Sequence, residues 1–135
     1  MAVWLAASLP ALAHAQSAAD MDARLDTLFG EHVPYRNFFE KLQKAVATDD
    51  KAAVAAMVQY PFRARLGGKA HTIRDAGHFV ADYDQIMTPE VKRAIAAQTY
   101  PELFANWQGI SIGSGEIWFS GIGTGKDIRI IAINH

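Results

Sequence analysis

The chain contains no cysteine. That excludes disulfides, thiolate metal sites, a cysteine nucleophile and a lipid-anchored N-terminal cysteine. It has no excess of either charge: 13 Lys and Arg stand against 14 Asp and Glu, a formal net charge of −1. Nucleic-acid binders normally carry a basic patch or stripe, so no nucleic-acid partner is expected. No two of the five histidines have a helical i, i+4 metal spacing, and there is no H-E-x-x-H. No metal and no cofactor is therefore expected. The run "GIGTGK", residues 121–126, lacks the phosphate-loop spacing and lies between two strand-like runs, so it reads as a β-turn. Sequence repeats and low-complexity segments are also missing.

Half of the 135 residues are hydrophobic and a fifth are charged, enough for one domain with a real core. The first fifteen residues, "MAVWLAASLPALAHA", are uncharged and end in the small-x-small pattern Ala13-His14-Ala15. They read as a signal peptide over 1–15. The basic n-region is missing, as in a leader truncated at its start; a buried N-terminal helix is the alternative. The run is too short to span a bilayer. The expected mature protein begins near Gln16, is periplasmic or secreted, and inserts in no membrane once the leader is removed.

Residues 16–33 are polar, then weakly helical, and read as a leader segment into a single domain over 34–135. Pro34 opens a helix whose apolar stripe is Phe38, Phe39, Leu42, Ala45 and Val46. Asp49 or Asp50 caps a short Ala-rich helix carrying Val54, Met57 and Val58. "YPFRARLGGKAHTI" then alternates. Tyr60, Phe62, Ala64 and Leu66 share one face, Arg63 and Arg65 the other, and Gly67-Gly68 makes a hairpin turn that sets Ala64 opposite His71. Pro61 marks a strand start or an edge. One long helix follows, with Ala76, Phe79, Val80, Tyr83, Ile86 and Met87 inward. Thr88-Pro89 starts another. The last third reads as a three-stranded meander over "WQGISIG", "GEIWFSGI" and "DIRIIAINH".

The expected fold class is α+β, N-terminal helices packed on a curved antiparallel sheet, in the order helix, helix, hairpin, helix or helices, three-stranded meander. That order resembles the nuclear-transport-factor-2-like (cystatin-like cone) superfamily over residues 34–135. Locally, "YPF", the "F…YDQI" helix, "NWQG", "GEIWF" and "IIAIN" resemble a group of small exported bacterial proteins of unassigned activity. The superfamily includes ketosteroid isomerases, polyketide cyclases, dehydratases and many non-catalytic binding or dimerisation modules, so the resemblance does not choose a function.

Individual residues narrow the field. His71 falls on the apolar face of the hairpin, where a histidine hydrogen-bonded in the core is the plainer reading and a pocket histidine the sharper one. His78 and Asp82 are spaced as a solvated helical pair. Asp82 and Asp84 flank Tyr83 and point apart, so they form no acid–base dyad. An isomerase-like site would pair Tyr83 with a carboxylate such as Glu116. Arg63 and Arg65 serve solubility and edge protection, or an anion site.

The meander register pairs Ile112 with Ile117, Ser111 with Trp118, Ile110 with Phe119, Phe119 with Ile130 and Trp118 with Ile131. It gives one purely apolar face: Ile110, Ile112, Ile117, Phe119, Ile128, Ile130 and Ala132. The other face is mixed: Trp107, Gly109, Ser111, Glu116, Trp118, Ser120, Arg129, Ile131 and Ile133. Exposed, such a face exceeds what monomers normally tolerate. A second copy packed face to face is the expected cover, making a homodimer; another protein, a small apolar ligand or residues 16–33 are the alternatives. Trp107, Glu116, Trp118 and Arg129, with Arg63 and Arg65, are the expected binding residues, and His71 and Tyr83 the pocket candidates. The functional expectation is an exported, non-catalytic binding or interaction module. A cofactor-free isomerase, cyclase or dehydratase with a pocket inside the cone is the alternative, and an inhibitor or immunity protein a further one.

Overall fold

The computed structural model describes residues 16–124 and 127–134. Residues 1–15, on which the signal-peptide expectation falls, and Gly125, Lys126 and His135 lie outside them. The described chain is α+β. Helix α1 spans Ala18–Phe29, α2 Val33–Ala47 and α3 Lys51–Ala56. The hairpin is β1, Phe62–Leu66, with β2, Lys69–Ile73. Helices α4 (Ala76–Ala81), α5 (Tyr83–Ile86) and α6 (Pro89–Ala97) follow. A 3-10 turn at Tyr100–Glu102 leads into β3 (Phe104–Asn106), β4 (Gly109–Ile112), β5 (Ile117–Ile122) and β6 (Asp127–Ile133). No described helix is long and apolar enough to cross a membrane.

Local chemistry explains most element boundaries. Ser17 begins α1 with a capping box: its hydroxyl accepts the Asp20 N–H at 3.1 Å, and the Asp20 carboxylate accepts the Ser17 N–H at 3.0 Å. Gly30, at φ +86°, ends the helix in the left-handed conformation. Asp50 caps α3, and Thr88 caps α6 ahead of Pro89. Pro61 immediately precedes β1.

Three expectations change. Residues 18–29 are no polar leader; Met21 and Leu25 of α1 are fully buried in the common core. The expected long helix breaks at Asp82, which takes a non-helical backbone between α4 and α5, and Val80 faces outward. Phe79, Tyr83, Ile86 and Met87 still form the buried stripe. The terminal sheet has four strands in the order β3-β4-β5-β6, because the three residues before Trp107 make a short strand of their own.

The sheet's inner face rests on the helices. One cross-strand row is Ala105, Ile110, Phe119 and Ile130, and the next is Ile112, Ile117 and Ile133, all buried. Phe38 of α2 packs against Phe119 with ring centroids 5.0 Å apart. The β4–β5 register is as expected, but a β-bulge shifts β6 between Trp118 and Phe119. Trp118 therefore pairs with Ala132 and not Ile131, and Ile133 turns into the core while Ala132 leaves it. One extra residue reverses the side of everything after it, since side chains alternate with period two.

Both sheet edges are occupied. At β6, the Ile130 N–H donates to the Met57 carbonyl at 2.7 Å, and the Gln59 N–H donates to the Ile130 carbonyl at 3.0 Å. That strap leads directly into β1. At β3, the Arg24 guanidinium of α1 donates twice to the Ala105 carbonyl, at 3.1 and 2.8 Å. These contacts take up edge groups at Ile130 and Ala105 that could otherwise recruit another strand. A free surface must therefore be sought on the sheet's faces or ends.

Candidate functional site

The outer face of the sheet brings Phe104 and Ile131 to solvent beside the half-buried Trp118. Phe104, Ser111, Trp118 and Ala132 form one row across all four strands. The rings of Phe104 and Trp118 meet edge to face, with centroids 6.1 Å apart and planes at 80°. Between them Ser111 is buried, so the two rings flank a small residue and make a continuous aromatic surface. Phe104 is 53% exposed and Ile131 37%. No element of the described chain gives Phe104 the cover an isolated ring of that size would find in a core. The apolar residues of helix α1 belong to the common core.

The mixed face is nevertheless smaller than the sequence implies. Glu116 sits in the turn before β5, and its carboxylate accepts the Ser114 N–H at 2.6 Å. Arg129 lies opposite Ser120, but its guanidinium reaches the Ala56 carbonyl at the end of α3 and Asp127 at 3.0 Å. It closes a helix C-terminus, where a cation is favoured. Trp107 is not on the strand face at all. It occupies the β3–β4 turn, where the Gln108 N–H donates to the Asn106 side chain at 2.8 Å, and it is 79% exposed.

Gly109, at φ +146°, permits that turn. A Cβ there would lie 2.6 Å from the Phe119 carbonyl oxygen and 3.0 Å from the Ser120 Cβ. Only glycine lets β4 lie this close to β5.

On the hairpin, Phe62 and Ala64 are buried while Arg63 and Arg65 are exposed, the alternation the sequence implies. Ala64 faces His71 across the hairpin, again as expected. His71 itself is exposed, however, as are its neighbours Lys69, Ala70 and Thr72. The register is right and the burial is not: only Ile73 of β2 reaches the core, because the hairpin projects beyond the helices.

Tyr83 is fully buried, and its hydroxyl finds no hydrogen-bond partner among the described residues. Burial, and then the charges of Asp49, Asp84 and Asp50, push its pKa up to about 12. Its ring meets Phe79 edge-on at 6.0 Å, with the Lys51 and Lys92 ammoniums 5.5 and 5.2 Å from its centroid. Asp84 pairs with Lys51 at 3.6 Å and Lys92 at 4.0 Å, and Asp82 with His78 at 3.2 Å. No hydrogen bond or ion pair joins Tyr83 to Glu116.

Sequence reading missed a polar cluster between α1, α2 and the 3-10 turn. The Tyr100 hydroxyl donates to Asp22 at 2.6 Å, Arg36 lies 3.5 Å from the same carboxylate oxygen and 4.5 Å over the Tyr100 ring, and His32 Nδ1 lies 2.8 Å from Asp26. These contacts staple α1 to its neighbours; their partners are too far apart in sequence for any spacing rule to link them. No group of three His, Cys, Asp or Glu among the described residues is placed to hold a metal ion. Comparison of the chain with protein-family models, with curated proteins and with solved structures finds no match.

Proposed function

We propose that this chain is an exported interaction module that pairs with a second copy of itself through the outer face of its four-stranded sheet. The observation that carries the reading is the row Phe104–Ser111–Trp118, in which an exposed Phe104 ring meets the half-buried Trp118 ring edge to face. A partner would cover the exposed half of the Phe104 ring and what remains open of the half-buried Trp118 ring. Two-fold packing of identical sheets brings each row against its own copy and needs no further partner. The covered edges favour face-to-face association over strand addition.

Export rests on the uncharged leader ending in Ala13-His14-Ala15. It accords with the capping box at Ser17, which starts the fold just beyond that cleavage pattern. We read the architecture as a nuclear-transport-factor-2-like cone, supported by the helices on one sheet face and the hairpin β1–β2 placed beside β6. The enzyme alternative has less behind it. The carboxylate it would use, Glu116, is turned onto its own hairpin, and Tyr83 is surrounded by a phenylalanine ring and two lysines.

Sedimentation velocity across a concentration series tests the proposal. The wild-type protein should sediment as a dimer, and Trp118→Ala should move it to monomer while the monomer's melting temperature holds. A wild-type monomer at all concentrations, or a Trp118→Ala dimer of undiminished affinity, refutes it.

A further inference from the structure

A second surface lies where the β3–β4 turn and the end of β5, with Thr124 just after it, approach the connection between α1 and α2. There Phe29, Glu31 and Tyr35 from the helical side, and Trp107, Ser120 and Thr124 from the sheet side, line a cleft of about 370 Å³. That is the small end of the range for small-molecule sites, about 300–1,000 Å³. The Phe29 and Tyr35 rings are stacked, with centroids 4.6 Å apart and planes at 21°. Trp107, held in its turn by the Asn106 side chain and by Gly109, has most of its indole in solvent. Tryptophan exposed to that degree on a tight turn gains nothing for folding.

Among the described lining residues the charged one is Glu31. Glu31 makes no hydrogen bond or ion pair among the described residues, although its charge reaches the Tyr35 hydroxyl and adds to the burial that raises that group's pKa. Its neighbour His32 is turned away onto Asp22 and Asp26. No lysine or arginine is among the described lining residues. Aromatic faces carry negative potential and attract cations, tryptophan most strongly. The exposed Trp107 indole, the half-buried Phe29 ring stacked on buried Tyr35, and a carboxylate without a partner among the described residues therefore favour the same kind of guest. A bare metal ion would need a ligand set the cleft does not offer. An alkylated ammonium is weakly hydrated at its surface and presents methyl or methylene groups to the rings while keeping its charge.

We propose that this cleft binds a small organic cation, an alkylammonium head group, between the Trp107 indole and the Phe29 ring, which buried Tyr35 backs by stacking, with Glu31 as its counter-ion. The Ser120 and Thr124 hydroxyls stand at the same cleft to accept a hydrogen bond from the remainder of the ligand. The inference does not depend on the dimer: it uses the turn tryptophan Trp107, not the face tryptophan Trp118, and either can fail alone.

Isothermal titration calorimetry of the protein with choline, and with its neutral isostere 3,3-dimethyl-1-butanol, tests it. The two probes share shape and differ in charge. Choline should bind saturably, with the neutral isostere at least about tenfold weaker, the scale of a cation–π contact reinforced by one carboxylate. Glu31→Gln should remove most of that preference, and Trp107→Ala should abolish binding, with melting temperatures unchanged because both side chains are exposed. Equal affinity for the two probes, an unchanged preference in Glu31→Gln, or no saturable choline binding in the wild type overturns the proposal.

Discussion

Replacing Tyr83 with phenylalanine removes one buried oxygen and leaves the ring. Everything that holds the side chain in place belongs to that ring: the edge-on contact with Phe79, the Lys51 and Lys92 ammoniums near its face, and the surrounding apolar core. The hydroxyl has no partner among the described residues. In the unfolded chain the same hydroxyl is hydrogen-bonded to water, so folding strips it without replacement. An unsatisfied buried group of this kind costs about 1–3 kcal/mol. Tyr83→Phe should therefore stabilise the fold, by about 1–2 kcal/mol if most of that cost is recovered. For a domain of this size the gain corresponds to a rise in Tm of about 3–6 °C.

Urea unfolding followed by far-ultraviolet circular dichroism measures the effect directly. The midpoint should rise with the m-value unchanged, which marks a change in stability and not in the surface exposed on unfolding. A loss of about 1 kcal/mol or more would refute the reasoning, because that is the signature of a hydrogen bond broken and not of a penalty removed.

All four tyrosines, Tyr35, Tyr60, Tyr83 and Tyr100, have raised pKa values, with burial the first cause in each; Tyr60 and Tyr83 reach about 12. The folded protein holds these phenolic protons more tightly than the unfolded chain, so this contribution to stability is complete below the unfolded value near 10 and is lost as pH rises towards 12. Absorbance titration at 295 nm should show little tyrosinate before unfolding; normal titration of all four in a folded chain would contradict the burial. Gly109→Ala should destabilise the fold by about 2 kcal/mol or more, since the new methyl group meets the Phe119 carbonyl and the backbone stays at positive φ. A thermal melt unchanged by that substitution would mean β4 and β5 are further apart than described. Phe119→Ala should cost about 3–5 kcal/mol as a fully buried aromatic, the opposite of the association-specific effect expected at Trp118. Denaturant melts on both variants separate the two faces.

Local rules were sufficient wherever the deciding contacts lie within a few residues. Caps at Asp50 and Thr88, the Gly67-Gly68 turn, and the Ile112–Ile117 and Phe119–Ile130 pairings all follow from neighbouring chemistry, and alternation alone placed Phe119 inward and Trp118 outward. From these the α+β class and the suspicion about Trp118 could both be read. What failed needed the third dimension. The β6 bulge is a mismatch between two strands and belongs to neither sequence alone, yet it moves Ile133 into the core and Ala132 out. His71 sits at the expected register but beyond the reach of the helices, so alternation named its face and could not supply the cover. Residues 18–29 have too weak an apolar stripe to declare a core helix; only the 3-10 turn and β3, which pack against α1 as Met21 and Leu25 enter the core, make it one. Phe104 and Glu31 carried no local signal, because each meets its partner only through the fold, Phe104 against Trp118 and Glu31 at one cleft with Trp107. A sequence fixes periodicity and capping, which are local free energies, while exposure is set by whichever other segment arrives to exclude water.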